Sequence, residues 1–168
     1  MKWFVAIVVA LVTAAVTAAA VFAATMVRGF RRQDPKVVER ARRFMNDVVN
    51  PKVVATAGQE GQPSLIRHRG RRTGTEYSTP IAAIPTDTGF AVVLPFGRDV
   101  AWVKNVLATG SAVLEHEGAT YEVESPEIVP VSAAPLGEAE EPAQFLHVEH
   151  ALLMTTKVPA VVDAANDE

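Results

Sequence analysis

Four arginines and two glycines lie close together in residues 65–80, the part of the sequence best suited to bind an anion. The arginines all fall between Arg67 and Arg72, and Gly70 and Gly74 bracket the last two of them. Glycines permit φ > 0 and close backbone approach, so a turn here leaves N–H groups pointing at one spot. Guanidinium groups add charged forks that suit a phosphate or a cluster of carboxylates. The stretch therefore predicts an anion-binding turn between two strands.

The same residues allow two other interpretations. Arginines beside a hairpin can be a solvated face, and Arg69-Gly70-Arg71 can be a basic patch for nucleic acid. The charge along the chain bears on the second interpretation. Residues 1–109 carry 15 Lys and Arg against 7 Asp and Glu, whereas residues 110–168 carry 1 against 12. Because a nucleic-acid-binding domain is usually basic throughout, we do not expect nucleic acid as a partner.

The composition limits the chemistry that the chain can perform. It has 168 residues and no cysteine, which excludes disulfides, thiolate nucleophiles and cysteine metal sites. This length is enough for one domain with an appendage. His147 and His150 have the spacing of one helix face, but zinc needs a third protein ligand and none is evident nearby. We predict no metal site.

An uncharged segment of twenty-five residues, Trp3 to Val27, lies near the amino terminus. As a helix it exceeds the bilayer's hydrocarbon core of about 30 Å. A cleaved signal peptide is the alternative, but signal-peptide apolar regions are shorter and usually lack a basic cluster directly downstream. Seven basic residues follow between Arg28 and Arg43, and with the length of the segment they favour an uncleaved single-pass anchor in the cell membrane. The positive-inside rule then predicts that the soluble domain is in the cytoplasm.

The sequence after the predicted anchor indicates a helix followed by strands. Asp34 and Pro35 are a helix N-cap and first position, and apolar residues then recur at helical spacing up to Asn50. Strand and turn signals begin at Val53 and continue to Val129 with one inserted helix, which favours a small antiparallel barrel. The predicted segments are residues 1–32 (anchor with basic flank), 33–50 (connecting amphipathic helix), 51–131 (barrel) and 132–168 (acidic linker and C-terminal helix).

Within the barrel region, particular elements are predicted. Val53–Ala55 is expected to be a first strand, and Phe90–Leu94 a later one. Asp99 is expected to cap the short helix that Gly110 ends. Residues 145–154 are expected to form a final amphipathic helix.

Several short motifs resemble those of one known family in the same order. They are Gly70-Arg71-Arg72-Thr73-Gly74, Thr79-Pro80, Phe90–Val93, Gly97-Arg98 and Trp102–Ala108. Together they resemble the deazaflavin-dependent nitroreductase family, over roughly residues 51–130. The resemblance implies a split β-barrel, mainly β with peripheral helices, that binds coenzyme F420. This coenzyme is a deazaflavin carrying a phosphodiester and a polyglutamate tail.

The resemblance also implies a function and a set of site residues. The chain would be a reductase that uses the reduced deazaflavin as hydride donor. The predicted membrane anchor suggests a small lipophilic acceptor such as a quinone, and a nitro compound is the other candidate. Tyr77 and Ser78 are the candidates for donating the accompanying proton, although several family members carry a basic residue where Tyr77 stands. The residues expected to hold the coenzyme are Arg69, Gly70, Arg71, Arg72, Thr73, Gly74, Thr79, Pro80, Gly97, Arg98, Trp102 and Asn105.

Three alternatives remain open from the sequence. The same barrel can hold FMN. It can also be a binding module that keeps an anionic ligand at the membrane without turnover, in contact with membrane lipid. Trp102 can be plain core packing of its helix rather than a contact for a flat ring.

Overall fold

In the computed structural model, the backbone is described for residues 2–157, and the side chains for residues 16, 17 and 19–157. The helices in this part are α1 (Lys2–Arg31), α2 (Pro35–Phe44), α3 (Asn50–Val53), α4 (Ala101–Thr109) and α5 (Glu140–Phe145). The strands are β1 (Ser64–Arg69), β2 (Glu76–Ile81), β3 (Ala83–Pro85), β4 (Gly89–Val93), β5 (Ser111–His116), β6 (Ala119–Pro130) and β7 (His150–Thr156).

The described strands form one antiparallel sheet in the order β2-β1-β5-β6-β7-β4-β3. The sheet curls into a half barrel, consistent with a split barrel of the α+β class. The β5–β6 hairpin turns at Glu117 and Gly118, and both have positive φ. A bulge between Glu124 and Glu127 bends β6, which allows this one long strand to follow the curl.

Each face of the sheet has its own core. On the concave side α4 packs through Val103 and Val106 against strand residues that include Ile66, Leu114 and Leu152. On the other side the segment 131–148 covers β4 and β7 near Ala91 and Ala151. Burial of such aliphatic side chains is the main contribution that stabilises packing on the two faces of the sheet. Each large side chain contributes roughly 1.5–3 kcal/mol to the free energy of folding.

The predicted C-terminal helix over residues 145–154 is wrong. Residues from His150 onward form β7, which lies between β6 and β4. Because both faces of the sheet are covered here, Ala151, Leu152 and Met154 are all buried. A strand buried on both sides shows an unbroken apolar run instead of alternation, and such a run cannot be distinguished from a short buried helix by periodicity.

Two smaller predictions are also wrong. Val53 ends helix α3 and Val54–Ala55 continue into turns, so the predicted first strand does not form. Asp99 does not cap α4; the N-cap is Val100, without a side-chain bond, and the Asp99 carboxylate pairs instead with Lys104 at 2.8 Å. Gly110 does end α4, with φ of 73°.

The connecting helix begins as predicted and then continues further. Asp34 accepts a hydrogen bond from the Lys36 N–H at 2.9 Å, and Pro35 stands at the first helical position. After α2 the backbone widens into a π-helical segment, Met45–Val49, which leads directly into α3. None of the residues from Pro35 to Val53 is buried. This segment therefore lies on the surface of the barrel as a thin cover.

The carboxyl end of α1 contacts the barrel domain. The rings of Phe30 and Phe96 lie 6.2 Å apart, and the Arg31 guanidinium lies over the Phe145 ring at 4.8 Å. In the described part of the chain, no helix combines the length and apolar character needed to cross a membrane. The predicted anchor, residues 3–27, falls largely on positions whose side chains lie outside the described residues, so it stays a prediction.

Candidate functional site

The predicted anion-binding turn connects β1 to β2. The Gly70 N–H donates to the Thr75 carbonyl at 2.7 Å, and the Gly74 N–H donates to the Gly70 carbonyl at 2.8 Å. Gly74 has φ of +70°, the left-handed region that favours glycine. A Cβ on Gly70 would lie 2.9 Å from the Tyr77 ring. The backbone angle thus favours glycine at position 74, whereas a side chain at position 70 would require the Tyr77 ring to shift.

This turn forms one wall of a cavity of about 750 Å³, a size typical of cofactor sites. Three arginines line the cavity: Arg71 and Arg72 from the turn, and Arg42 from α2. Among the described lining residues none is acidic. Arg42 is paired with Glu39 at 2.7 Å, so Arg71 and Arg72 supply the uncompensated positive charge. Such charge gives the cavity a positive potential that attracts an anion.

A second part of the cavity lining, which we call the apolar wall, is apolar and aromatic. It consists of Met45, Val54, Pro80, Phe96, Val100 and Trp102. Trp102 is half-buried and also packs against the concave core, so it serves both as core and as cavity lining. A flat ring fits such a wall, because aromatic and proline faces offer van der Waals contact without requiring hydrogen bonds.

Buried polar side chains connect the arginine turn to the floor of the cavity. Asn105 Oδ1 accepts from the Arg71 backbone N–H at 3.2 Å and from Arg71 Nη1 at 2.8 Å. Asn105 Nδ2 lies 3.3 Å from His68 Nδ1, and His68 Nε2 lies 3.3 Å from Thr79 Oγ1. Helix α4 supplies Asn105, β1 supplies His68 and β2 supplies Thr79. The four residues Arg71, Asn105, His68 and Thr79 form what we call the polar relay.

His68 is the titratable group of the relay. Its side chain is buried, and burial lowers its pKa below the ordinary value of 6.5. The imidazole stacks on the Tyr77 ring, with centroids 5.8 Å apart and planes 23° from parallel. Charge on an imidazole is disfavoured in such surroundings, since little water reaches it. His68 is therefore neutral at pH 7.

The structure brings most of the predicted site residues together. Those that line the cavity are Gly70, Arg71, Arg72, Thr73, Thr79, Pro80, Trp102 and Asn105, together with the proton-donor candidates Tyr77 and Ser78. Gly74 shapes the turn without lining the cavity. Each role assigned to these residues stays a prediction.

Three other predicted residues lie away from the cavity. Arg69 points to the opposite face of the hairpin, where it pairs with Glu76 at 3.2 Å and borders an outer groove that also contains Lys157. Gly97 and Arg98 lie in the loop before α4, close to the cavity residue Phe96 but outside the cavity lining.

Sequence reasoning missed two contributors to the site. His68 belongs to the arginine stretch, but its burial depends on α4 packing above it, which no local pattern reveals. From the sequence, Arg42 counts only among the seven basic residues that follow the predicted anchor. Its guanidinium is held in the fold by Glu39, with contacts of 2.7 and 2.8 Å, an i, i+3 pair that the sequence does contain.

Neither histidine of the predicted pair lies on a helix. His147 follows α5 and borders a groove with Arg28, Arg31 and Arg32, while His150 begins β7. Within the described residues, no cluster of three His, Asp or Glu side chains is placed to hold a metal ion.

Comparison with solved structures gives a distant likeness. One matched structure is an F420-H2 dependent reductase, FDR-A, with a TM-score of 0.40 and 13% identity over 54% of this chain and 91% of that chain. This chain is similar to that reductase. A second match, described as a domain-swapped dimer, has a TM-score of 0.44 and 11% identity over 69% of this chain and 97% of that chain. No protein-family model matches the chain, and neither does any curated protein.

Proposed function

We propose that this chain is a reductase that binds a reduced deazaflavin coenzyme in the cavity and reduces a small lipophilic acceptor there. The observation that carries the proposal is that one cavity has both a basic and an apolar part in its lining. Arg71 and Arg72, which have no acidic partner among the described residues, form the basic part together with Arg42, and Pro80, Phe96 and Trp102 contribute to the apolar part. The deazaflavin coenzyme has the matching division into a polyanionic tail and a flat ring.

The arginine wall suits the tail. Each charged hydrogen bond from Arg71 or Arg72 to a phosphate or carboxylate is worth roughly 1.5–3 kcal/mol. Arg72 has no ion-pair or hydrogen-bond partner among the described residues, so no internal bond has to break before it binds an anion. Arg71 is preoriented by Asn105. FMN, with a single phosphate, would use less of this charge.

The apolar wall and the hydroxyl groups suit the reacting end of the coenzyme. When bound, the reduced coenzyme supplies a hydride, and this chain supplies orientation and exclusion of water. Pro80 and Trp102 would hold the ring. Tyr77 and Ser78 line the same cavity, and their hydroxyl groups are the candidates for giving a proton to the acceptor. A quinone or a nitro compound accepts a hydride and a proton together.

The function is tested by titrating the detergent-solubilised full chain with four ligands in parallel. These are the deazaflavin coenzyme, a deazaflavin without phosphate and glutamates, FMN, and heparin. We expect the complete coenzyme to bind most tightly, and the truncated one to bind much more weakly while still responding to Trp102→Ala. A melting curve of that variant separates lost ring contact from a loosened helix.

Other results would lead to other conclusions. Tighter binding of FMN would indicate the same barrel with a flavin, and tighter binding of heparin would indicate a general anion patch.

Turnover is tested separately. Reduced coenzyme bound to the protein should be oxidised when a water-soluble quinone or a nitroaromatic compound is added. Binding of the coenzyme without such oxidation would indicate a binding module in place of an enzyme.

We also propose that residues 3–27 anchor the enzyme in the cell membrane with the cavity on the cytoplasmic side. Support comes from the uncharged length of this segment and the seven basic residues that follow it. A lipid-soluble acceptor would then be concentrated beside the enzyme. Protease added to intact cells should leave the domain uncut and should cut it once the cells are permeabilised. A mature amino terminus near Ala24 would instead show a removed signal peptide.

A further inference from the structure

The polar relay fixes where the proton of His68 lies. Asn105 Oδ1 accepts two hydrogen bonds from Arg71, and both come from groups that cannot accept. The amide oxygen must therefore face Arg71, which leaves the Nδ2 hydrogens facing His68 Nδ1. A ring nitrogen that accepts from an amide carries no proton. The proton of the neutral imidazole must then be on Nε2.

The next link follows from the same reasoning. His68 Nε2–H donates to Thr79 Oγ1 at 3.3 Å. A hydroxyl oxygen that accepts this bond still has its own hydrogen to donate. No acceptor for that hydrogen lies within bonding distance among the described residues, while Thr79 is half-buried and lines the cavity. The hydrogen is thus available to an acceptor atom inside the cavity.

We propose that His68 is a positioning residue that makes the Thr79 hydroxyl a hydrogen-bond donor to a carbonyl oxygen or ring nitrogen of the bound ligand. The identity of the ligand as a deazaflavin rests on the proposed function, whereas the proton position does not. Asn105 orients His68 and also holds Arg71. One amide therefore positions both the Thr79 hydroxyl donor and the Arg71 cation.

The surroundings of His68 agree with this role. Arg71 from the turn is the charged group nearest to it through the relay, Tyr77 from β2 stacks on it, and Asn105 from α4 contacts Nδ1. Of the described carboxylates none is bonded to the imidazole. No group therefore stabilises a proton on Nδ1, and the tautomer is determined by Asn105 alone.

The first test measures the tautomer in the ligand-free full chain by ¹⁵N NMR of the histidine rings at pH 7. The His68→Phe spectrum assigns the signals. We expect neutral His68 protonated on Nε2 with an unprotonated Nδ1. Protonation on Nδ1 in the parent protein would overturn the proposal, whatever the coenzyme does. In Asn105→Asp the carboxylate accepts from Nδ1–H, so a proton should appear on Nδ1.

The second test asks whether His68 acts through Thr79. Thr79→Val should weaken coenzyme binding roughly 2- to 10-fold, the range for loss of one neutral hydrogen bond, and Thr79→Ser should restore it. His68→Phe keeps a buried ring and should weaken binding by a similar factor, but by little when Thr79 is already valine. Full additivity of the two changes would mean that His68 merely supports the fold, and would refute the positioning role.

Failure of the proposed function gives a different pattern. If the parent protein binds no deazaflavin coenzyme, the reductase proposal fails, and the NMR result alone then decides the tautomer.

If His68→Phe does not fold, the comparison of Thr79→Val with Thr79→Ser still decides whether the cavity uses the Thr79 hydroxyl as a donor. Equal binding by the parent and both Thr79 variants would overturn the proposal.

Discussion

Replacing Arg72 by alanine is expected to weaken deazaflavin coenzyme binding about 10-fold or more while leaving the melting temperature unchanged. Arg72 is exposed, lines the cavity and makes no bond to the described residues. The substitution therefore removes charge from the site without removing a contact from the fold. Binding is measured by titrating the purified full chain, and stability by thermal unfolding.

Arg69→Ala is the matched control, because it removes the same side chain from the same hairpin. Arg69 pairs with Glu76 on the outer face, away from the cavity. It should change coenzyme binding far less than Arg72→Ala does. The loss in Arg72→Ala should also shrink as salt increases, since exposed charges are screened. Equal losses from both variants would mean that only the overall charge of the hairpin matters, and would place the anion site elsewhere.

Gly89→Ala is expected to destabilise the protein by about 3 kcal/mol or more, the second large effect. A Cβ at Gly89 would overlap the Met154 carbonyl oxygen and lie 2.7 Å from Thr155 Cα. These atoms belong to the backbone of β7, which cannot move aside as a flexible side chain can. The β4–β7 pairing must shift, and the melting temperature should fall by roughly 10 °C.

Gly118→Ala provides the comparison for this change. Gly118 turns the β5–β6 hairpin with φ of +78°, and a Cβ there would meet nothing within 4 Å. The cost should then be only that of a left-handed alanine, about 1–2 kcal/mol. A melting temperature for Gly89→Ala equal to that of Gly118→Ala would show that β7 yields locally, contrary to the packing described here.

The parts of the site that the sequence predicts are those determined locally. The turn has glycine at positions 70 and 74, the second with positive φ, and its arginines are adjacent in the chain, so composition and spacing predict it. The relay is not local, since His68 and Asn105 are 37 residues apart. Their contact exists because Val103 and Val106 hold α4 against the sheet, which leaves Asn105 facing β1.

The errors in predicting the fold have a similar origin. The run that became β7 has the same apolar content as a short buried helix, and only its position between β6 and β4 makes it a strand. Val53 and Val54 favour a strand by side-chain type, yet Val53 ends helix α3 and Val54 lies in the turn that follows it. In both places the tertiary arrangement outweighs the local preference.

The strand order has a consequence for the order in which the chain folds. The backbone of the β3–β4 hairpin is hydrogen-bonded to the rest of the described sheet only through β7, the last described strand, which pairs Gly89 with Thr155. During synthesis β1, β2, β5 and β6 can pair as they emerge, whereas β4 must wait for a partner about sixty residues later. Such non-local pairing is slow. The arginine turn between β1 and β2 can therefore form early. Phe96, which also lines the cavity, directly follows β4, so the cavity is complete only after β4 has paired with β7.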